Sequence, residues 1–215
     1  MTTERKLIHV LRHAEPGKDP ETKRSLDYLT DQGKADAEAL GARLYAGSAS
    51  PIAVIHSPMF RAYQTGNRMI EGTKTVPAMI QSDNDLGLDF FNQAKNKPSG
   101  IAYGSEFINA LLDANPEVFD RVAQEIGRFV KSAYQIGKGQ QWEPTVLGIS
   151  HGPKVEIGYG ALTGVPASQI SQFAANPLDG FIIEVDRAQR SGDILQAKIK
   201  FKDLEEKALD TRYLA

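Results

Sequence analysis

The stretch "VLRHAEPG", residues 10 to 17, sets an arginine and a histidine side by side where an apolar run ends. A second histidine closes another apolar run in "LGISHGP", 147 to 153, and an arginine follows a third in "VIHSPMFRAYQT", 54 to 65. Arg12 and Arg61 carry permanent charge on planar, bidentate donors that match phosphate oxygens. A neutral imidazole, with an ordinary pKa of about 6.5, is a competent nucleophile near pH 7, so one histidine can attack phosphorus without a separate base. The other can donate hydrogen bonds to the equatorial oxygens. Arginines and histidines would supply the positive charge that a metal supplies in kinases, so no metal or other cofactor is expected.

These residues share a site only if the fold brings three strand ends together. "KLIHVL" (6 to 11), "PIAVIH" (51 to 56) and "TVLGIS" (145 to 150) are short apolar runs, each followed by polar or Gly/Pro-containing sequence, as buried strands of a parallel sheet are. Between them lie helical patterns. One starts at Thr30 as N-cap and runs to about Gly47; a second follows Ser57-Pro58, read as N-cap and first turn, to about Met69; a third runs from Asn115-Pro116 to about Tyr134, with Val118, Val122, Ile126, Phe129 and Val130 on one face. This alternation predicts an α/β architecture of three layers, a mostly parallel central sheet with helices on both faces. In such sheets ligands sit beyond the carboxyl ends of the strands. Arg12 with His13, Ser57 with Arg61, and Ser150 with His151 are thereby delivered to one rim, where helix N-termini at 58 to 61 and 152 to 153 add backbone donors.

Other segments are read as follows. "TVPAMI" (75 to 80) is a third strand, "GPKVEIGYGALTG" (152 to 164) a helix whose glycines serve close packing, and "GFIIEVDR" with "DILQAKIKF" a terminal hairpin turning at Ser191, Gly192 and Asp193. Residues 82 to 105 lack a clear period yet include Phe90, Phe91 and Tyr103, which fits a lid inserted into a single domain spanning 1 to 215. The tail from Lys202 is a short helix or frayed. His9 and His56 are read as structural, His9 satisfied by hydrogen bonding in the core. Glu106 is explained equally well by a role at the site and as a helix-start carboxylate.

Composition narrows the function. The 215 residues include 25 Lys plus Arg and 27 Asp plus Glu, a net charge of -2 that implies no general attraction to nucleic acid or anionic membrane. There is no cysteine, which excludes disulfides, thiolate metal sites and a cysteine nucleophile. No apolar run approaches the ~20 residues of a membrane helix, and the start has no signal-peptide core, so a cytoplasmic protein is expected.

Taken together, "LRHAEPG" resembles the arginine-histidine-glycine motif of the histidine phosphatase superfamily, the phosphoglycerate mutase-like proteins. "HSPMFRAYQT" is similar to that family's serine-proline and arginine-alanine-threonine segment, and "SHG" to its second histidine. The resemblance, of the branch 1 type, implies that His13 becomes phosphorylated while Arg12, Arg61 and His151 form the phosphate pocket, with Ser57 beside it. Two departures stand out. Ala14 replaces the usual glycine, and the leucine-any-glutamate context of the usual general acid reads Leu86-Gly87-Leu88, leaving Asp85 and Asp89 as the nearest carboxylates, with Asp85 the candidate acid. The other reading is that no acid is present, as in small phosphohistidine phosphatases with good leaving groups. The resemblance thus implies a phosphatase acting on a phosphorylated small molecule or phosphoprotein. A mutase ranks below it because the 16 to 24 loop lacks the expected asparagine, and a scaffolding relative without turnover is the alternative of another class.

Overall fold

The computed structural model describes residues 3–22, 25–45, 52–138, 144–188, 193–202, 204–209 and 211–214. The chain opens with strand β1 (Thr3–Arg12), a small antiparallel hairpin of β2 (Pro16–Lys18) and β3 (Ser25–Leu29), and helix α1 (Asp31–Tyr45). Then come β4 (Ile52–His56), α2 (Phe60–Thr73) and β5 (Met79–Ser82). A 3-10 turn at Asn84–Leu86, the short α3 (Asp89–Gln93), α4 (Ser105–Ala114) and α5 (Glu117–Gln135) lead to β6 (Thr145–Ser150) and α6 (Lys154–Thr163). The hairpin β7 (Gly180–Ala188) and β8 (Ile194–Phe201) and the two-residue β9 (Lys207–Ala208) follow.

The main sheet has the order β5-β4-β6-β1-β7-β8-β9. Its first four strands are parallel, and β7, β8 and β9 run antiparallel to their neighbours. The sheet is buried on both sides, as the unbroken burial of β4 and β6 requires. One core holds Ala37, Leu40 and Met69 of α1 and α2 against Ile52, Val54, Leu147 and Ile149. The opposite core packs Val122, Ile126 and Phe129 of α5 and Ile157 of α6 against Ile8, Val10, Ala53 and Val146. This is the expected three-layer arrangement. Helices α1 and α2 approach so closely that a Cβ at Gly41 would overlap the Met69 backbone, which is why a residue without a side chain sits there.

Several sequence expectations shift. Thr30 does cap α1, its hydroxyl accepting from Gly33 N at 2.9 Å, but the expected end of that helix at Gly47 lies outside the described residues, as does the tip of the β7–β8 hairpin at Ser191 and Gly192. The third strand occupies Met79–Ser82 and not 75 to 80. Val76 is 86% exposed and Pro77 has no N–H to donate, so "TVPAMI" starts in exposed connecting chain; Ala78 N donates to Ile52 O at 2.8 Å, and the strand itself runs from Met79. The 82 to 105 segment is partly core: Leu86, Phe90 and Ala94 are buried, while 99 to 102 are exposed. The tail forms β9 and a 3-10 turn at Thr211–Tyr213, with Leu209 and Leu214 buried.

Candidate active site

Three parallel strands end in register. Arg12 pairs with Ser150 across β1 and β6, and His56 pairs with Ile149 across β4 and β6. The residue after each strand end therefore meets the others: His13 N donates to Ser150 O at 3.0 Å and Ser57 N to Ile149 O at 2.9 Å. The rings of His13 and His151 stand edge to face, 5.0 Å between centroids. Arg61, in the first turn of α2, donates from Nε to His13 Nε2 at 3.1 Å and from Nη1 to Leu26 O at 3.3 Å. A threonine bridge fixes this turn to the histidine loop, since Ala14 N donates to Thr65 Oγ1 at 3.0 Å and that hydroxyl donates to Arg61 O at 2.8 Å.

Hydrogen bonding assigns the His13 tautomer. A carbonyl only accepts, so the 2.7 Å contact between His13 Nδ1 and Ala14 O puts the proton on Nδ1 and leaves the Nε2 lone pair facing Arg61. Ser57 Oγ accepts from Met59 N at 3.2 Å and lies 2.6 Å from His151 Nε2. A hydroxyl both donates and accepts, so this contact engages Nε2 of His151 in either tautomer. The buried Nδ1 of His151 has no hydrogen-bond partner among the described residues, and neither has the buried Nε of Arg12. Buried polar groups are normally satisfied, and here two unpartnered ones lie beside the Arg61 guanidinium and the free lone pair of His13.

The sequence profile of the histidine phosphatase superfamily (branch 1) matches residues 8–195. The chain belongs to this superfamily. Solved structures of similar fold include a mycobacterial glucosyl-3-phosphoglycerate phosphatase, 17% identical with a TM-score of 0.54, covering 95% of this chain and 100% of that one. Bacillus stearothermophilus YhfR is 19% identical with a TM-score of 0.56 and coverages of 88% and 94%. A phosphoglycerate mutase from Bacillus anthracis is 14% identical, with a TM-score of 0.55 and coverages of 98% and 96%. At such identities the likeness is one of fold. No curated protein matches the chain.

In this member of the superfamily the site is secluded, with His13 5% and His151 1% exposed. Burial, with the charges of Arg61 and Arg12 adding to it, holds His13 down to about 3; burial likewise puts His151 well below the usual imidazole range. Burial alone lowers His9 to about 4. The sign follows directly. The unfolded chain takes up protons on these histidines below about pH 6.5 while the native chain stays neutral, so stability falls with pH by up to ~1.4 kcal/mol per unit for each. We expect a lower urea midpoint at pH 4.5 than at pH 7.5, with a shallower fall in His9→Phe. Equal midpoints would contradict the burial of neutral imidazoles.

Other candidates are placed differently. Asp85 forms a fork with Arg128 of α5, Oδ2 accepting from Nε at 3.0 Å and Oδ1 from Nη2 at 2.6 Å. Among the described residues no carboxylate hydrogen-bonds or ion-pairs with the His13 ring, the Arg61 guanidinium or the His151 ring, although the charge of Asp27 acts on Arg61. Ser57 is not the α2 N-cap, because the helix begins at Phe60 and the serine hydroxyl serves His151. Asp27 of β3, which sequence reading missed, takes the first N–H groups instead, from Phe60 at 3.2 Å and Arg61 at 3.4 Å. The N-terminal donors of α2 are thus committed to Asp27. His9 overturns its expectation: both ring nitrogens lack hydrogen-bond partners among the described residues, and the ring packs on Tyr45 at 5.4 Å. Glu106 does lie in the first turn of α4. Among the described residues no helix is long and apolar enough to cross a membrane.

Proposed function

We propose that this chain is a metal-independent phosphatase that hydrolyses a phosphomonoester or phosphoramidate, on a small molecule or a phosphoprotein, through a phosphohistidine at His13. The observation that carries the reading is the state of His13. Its Nδ1 proton is spent on Ala14 O, so Nε2 offers a lone pair at neutral pH next to two permanent positive charges. When phosphoryl oxygens take up the Arg61 donors, Nε2 is released to attack phosphorus in line. The P–N bond to His13 forms, and the bond to the leaving group breaks with its electron pair. Arg12, Arg61 and His151 stabilise the charge on the equatorial oxygens. Water then attacks the phosphohistidine, inorganic phosphate leaves and neutral His13 returns. Local arginine charge performs the role of an electrophilic metal in this scheme.

The same geometry bears on the leaving group. With the Asp85 carboxylate forked to Arg128, the site favours substrates whose leaving group departs with little protonation, such as aryl phosphates and phosphoramidates. p-Nitrophenyl phosphate should be hydrolysed between pH 5 and 8 in the presence of EDTA. Asp85→Asn should change its kcat/KM by less than about 3-fold, against the ~100-fold or greater loss from removing a general acid. Turnover that stops in EDTA would overturn metal independence. A 100-fold loss in Asp85→Asn would make Asp85 the proton donor.

A further inference from the structure

The arginine beside the nucleophile is held by groups that share a single anchor. Arg12 Nη1 donates to Ala175 O at 2.5 Å, and the face of its guanidinium lies 4.1 Å from the centroid of the Tyr103 ring. Both of these supports end on Glu156, a fully buried residue of α6. One carboxylate oxygen, Oε1, accepts from Ala175 N at 2.7 Å and from the Tyr103 hydroxyl. The tyrosine also lies flush on the turn after His151, where a Cβ at Gly152 would overlap its hydroxyl. Its segment is tied down on either side. Asn96 and Asn115 exchange hydrogen bonds of 3.1 and 2.8 Å, and Ser105 Oγ donates to Ser171 O at 2.8 Å. An arginine side chain has many rotamers to lose on capturing an anion, and one already clamped on its edge and face loses fewer.

We propose that Tyr103 and Glu156 are positioning residues for Arg12: Glu156 fastens the Tyr103 ring and the Ala175 backbone, and these fix the guanidinium where it receives the phosphoryl group. The inference rests on the phosphoryl site proposed above. Neither residue transfers a proton or touches phosphorus; both act through Arg12. The cation–π contact supplies the face support and the Ala175 carbonyl the edge support. The arrangement also gives the 82 to 105 segment a defined task, because it delivers Tyr103 to the site.

A double-mutant cycle with inorganic phosphate as the probe tests this, binding being read by titration calorimetry and by competitive inhibition of p-nitrophenyl phosphate hydrolysis. Tyr103→Ala is expected to weaken phosphate binding about 10-fold, Tyr103→Phe about 3-fold, and Glu156→Gln less than Glu156→Ala. In the Arg12→Ala background, Tyr103→Ala should have no further effect. A merely structural tyrosine would weaken binding equally in both backgrounds, and that result overturns the inference. So does unchanged binding in Tyr103→Ala. Should Tyr103→Ala fail to fold by near-UV circular dichroism, Tyr103→Phe closes the same cycle. If Arg12→Ala alone leaves phosphate affinity unchanged, the phosphoryl site itself falls, and the failure is distinguishable because it precedes any tyrosine effect.

Discussion

His13→Ala is expected to lower kcat/KM for p-nitrophenyl phosphate by at least ~1,000-fold and to leave no acid-labile phosphate on the chain. The size of the effect follows from the role. Arg12, Arg61 and His151 can still bind the anion in the variant, but the lone pair that forms the covalent intermediate is gone. His151 is no substitute, because its Nε2 is engaged by the Ser57 hydroxyl at 2.6 Å. Phosphate binding should therefore survive while turnover does not, a split between KM and kcat that steady-state kinetics and calorimetry together resolve. The variant also lacks one buried neutral imidazole, so its stability should fall less steeply between pH 6.5 and 4.5 than that of the wild type. Activity within 10-fold of wild type would remove His13 from the chemistry.

Arg61→Ala is expected to lower kcat/KM by about 100-fold, the scale of losing one preorganised electrostatic contact. Arg61 does more than supply charge. Its guanidinium spans His13 Nε2, Leu26 O and Met59 Sδ, which places it between the nucleophile and the β2–β3 hairpin. Arg61→Lys should recover only part of the loss, because an ammonium cannot present a planar fork to two phosphoryl oxygens. Removing the charge also relieves one of the influences that depress His13, so the histidine should titrate at a higher pH in Arg61→Ala than in the wild type. Histidine proton chemical shifts followed against pH check the direction. An unchanged kcat/KM would mean that the strand ends do not converge on a common phosphoryl group.

The parts of this account that were legible in the sequence are those with local signatures. β1, β4 and β6 are short apolar runs that stop at polar residues, and the side chains placed on their ends follow from strand geometry alone. α5 was readable because Val118, Val122, Ile126 and Phe129 recur at helical spacing, and all are buried as that spacing demands. β5 was misplaced because Val76 and Pro77 are apolar by type but lie outside the core, and apolar letters do not report where a sheet edge begins. His9 was misread for a related reason: its strand position signals burial, while the identity of its neighbours is tertiary. Tyr103 was visible only as one of several aromatics in an aperiodic segment, and Glu156 and Asp27 left no signal that a single sequence exposes. Glu156 sits in the helical stretch "KVEIGYGALT", where a carboxylate in the first turn reads as an ordinary helix-start residue, and only packing of the 82 to 105 segment shows what it holds. Asp85 illustrates the reverse case, a carboxylate near the correct place in the chain whose side chain is engaged by Arg128 on another element.

The covalent step is the point on which the whole reading turns. Wild-type protein mixed with p-nitrophenyl phosphate in EDTA, quenched during turnover and analysed under alkaline and acidic conditions, should carry phosphate that is stable to base, labile to acid, and localised by mass spectrometry to the peptide bearing His13. Turnover with no phosphate on that peptide, or with phosphate that persists in His13→Ala, would contradict it.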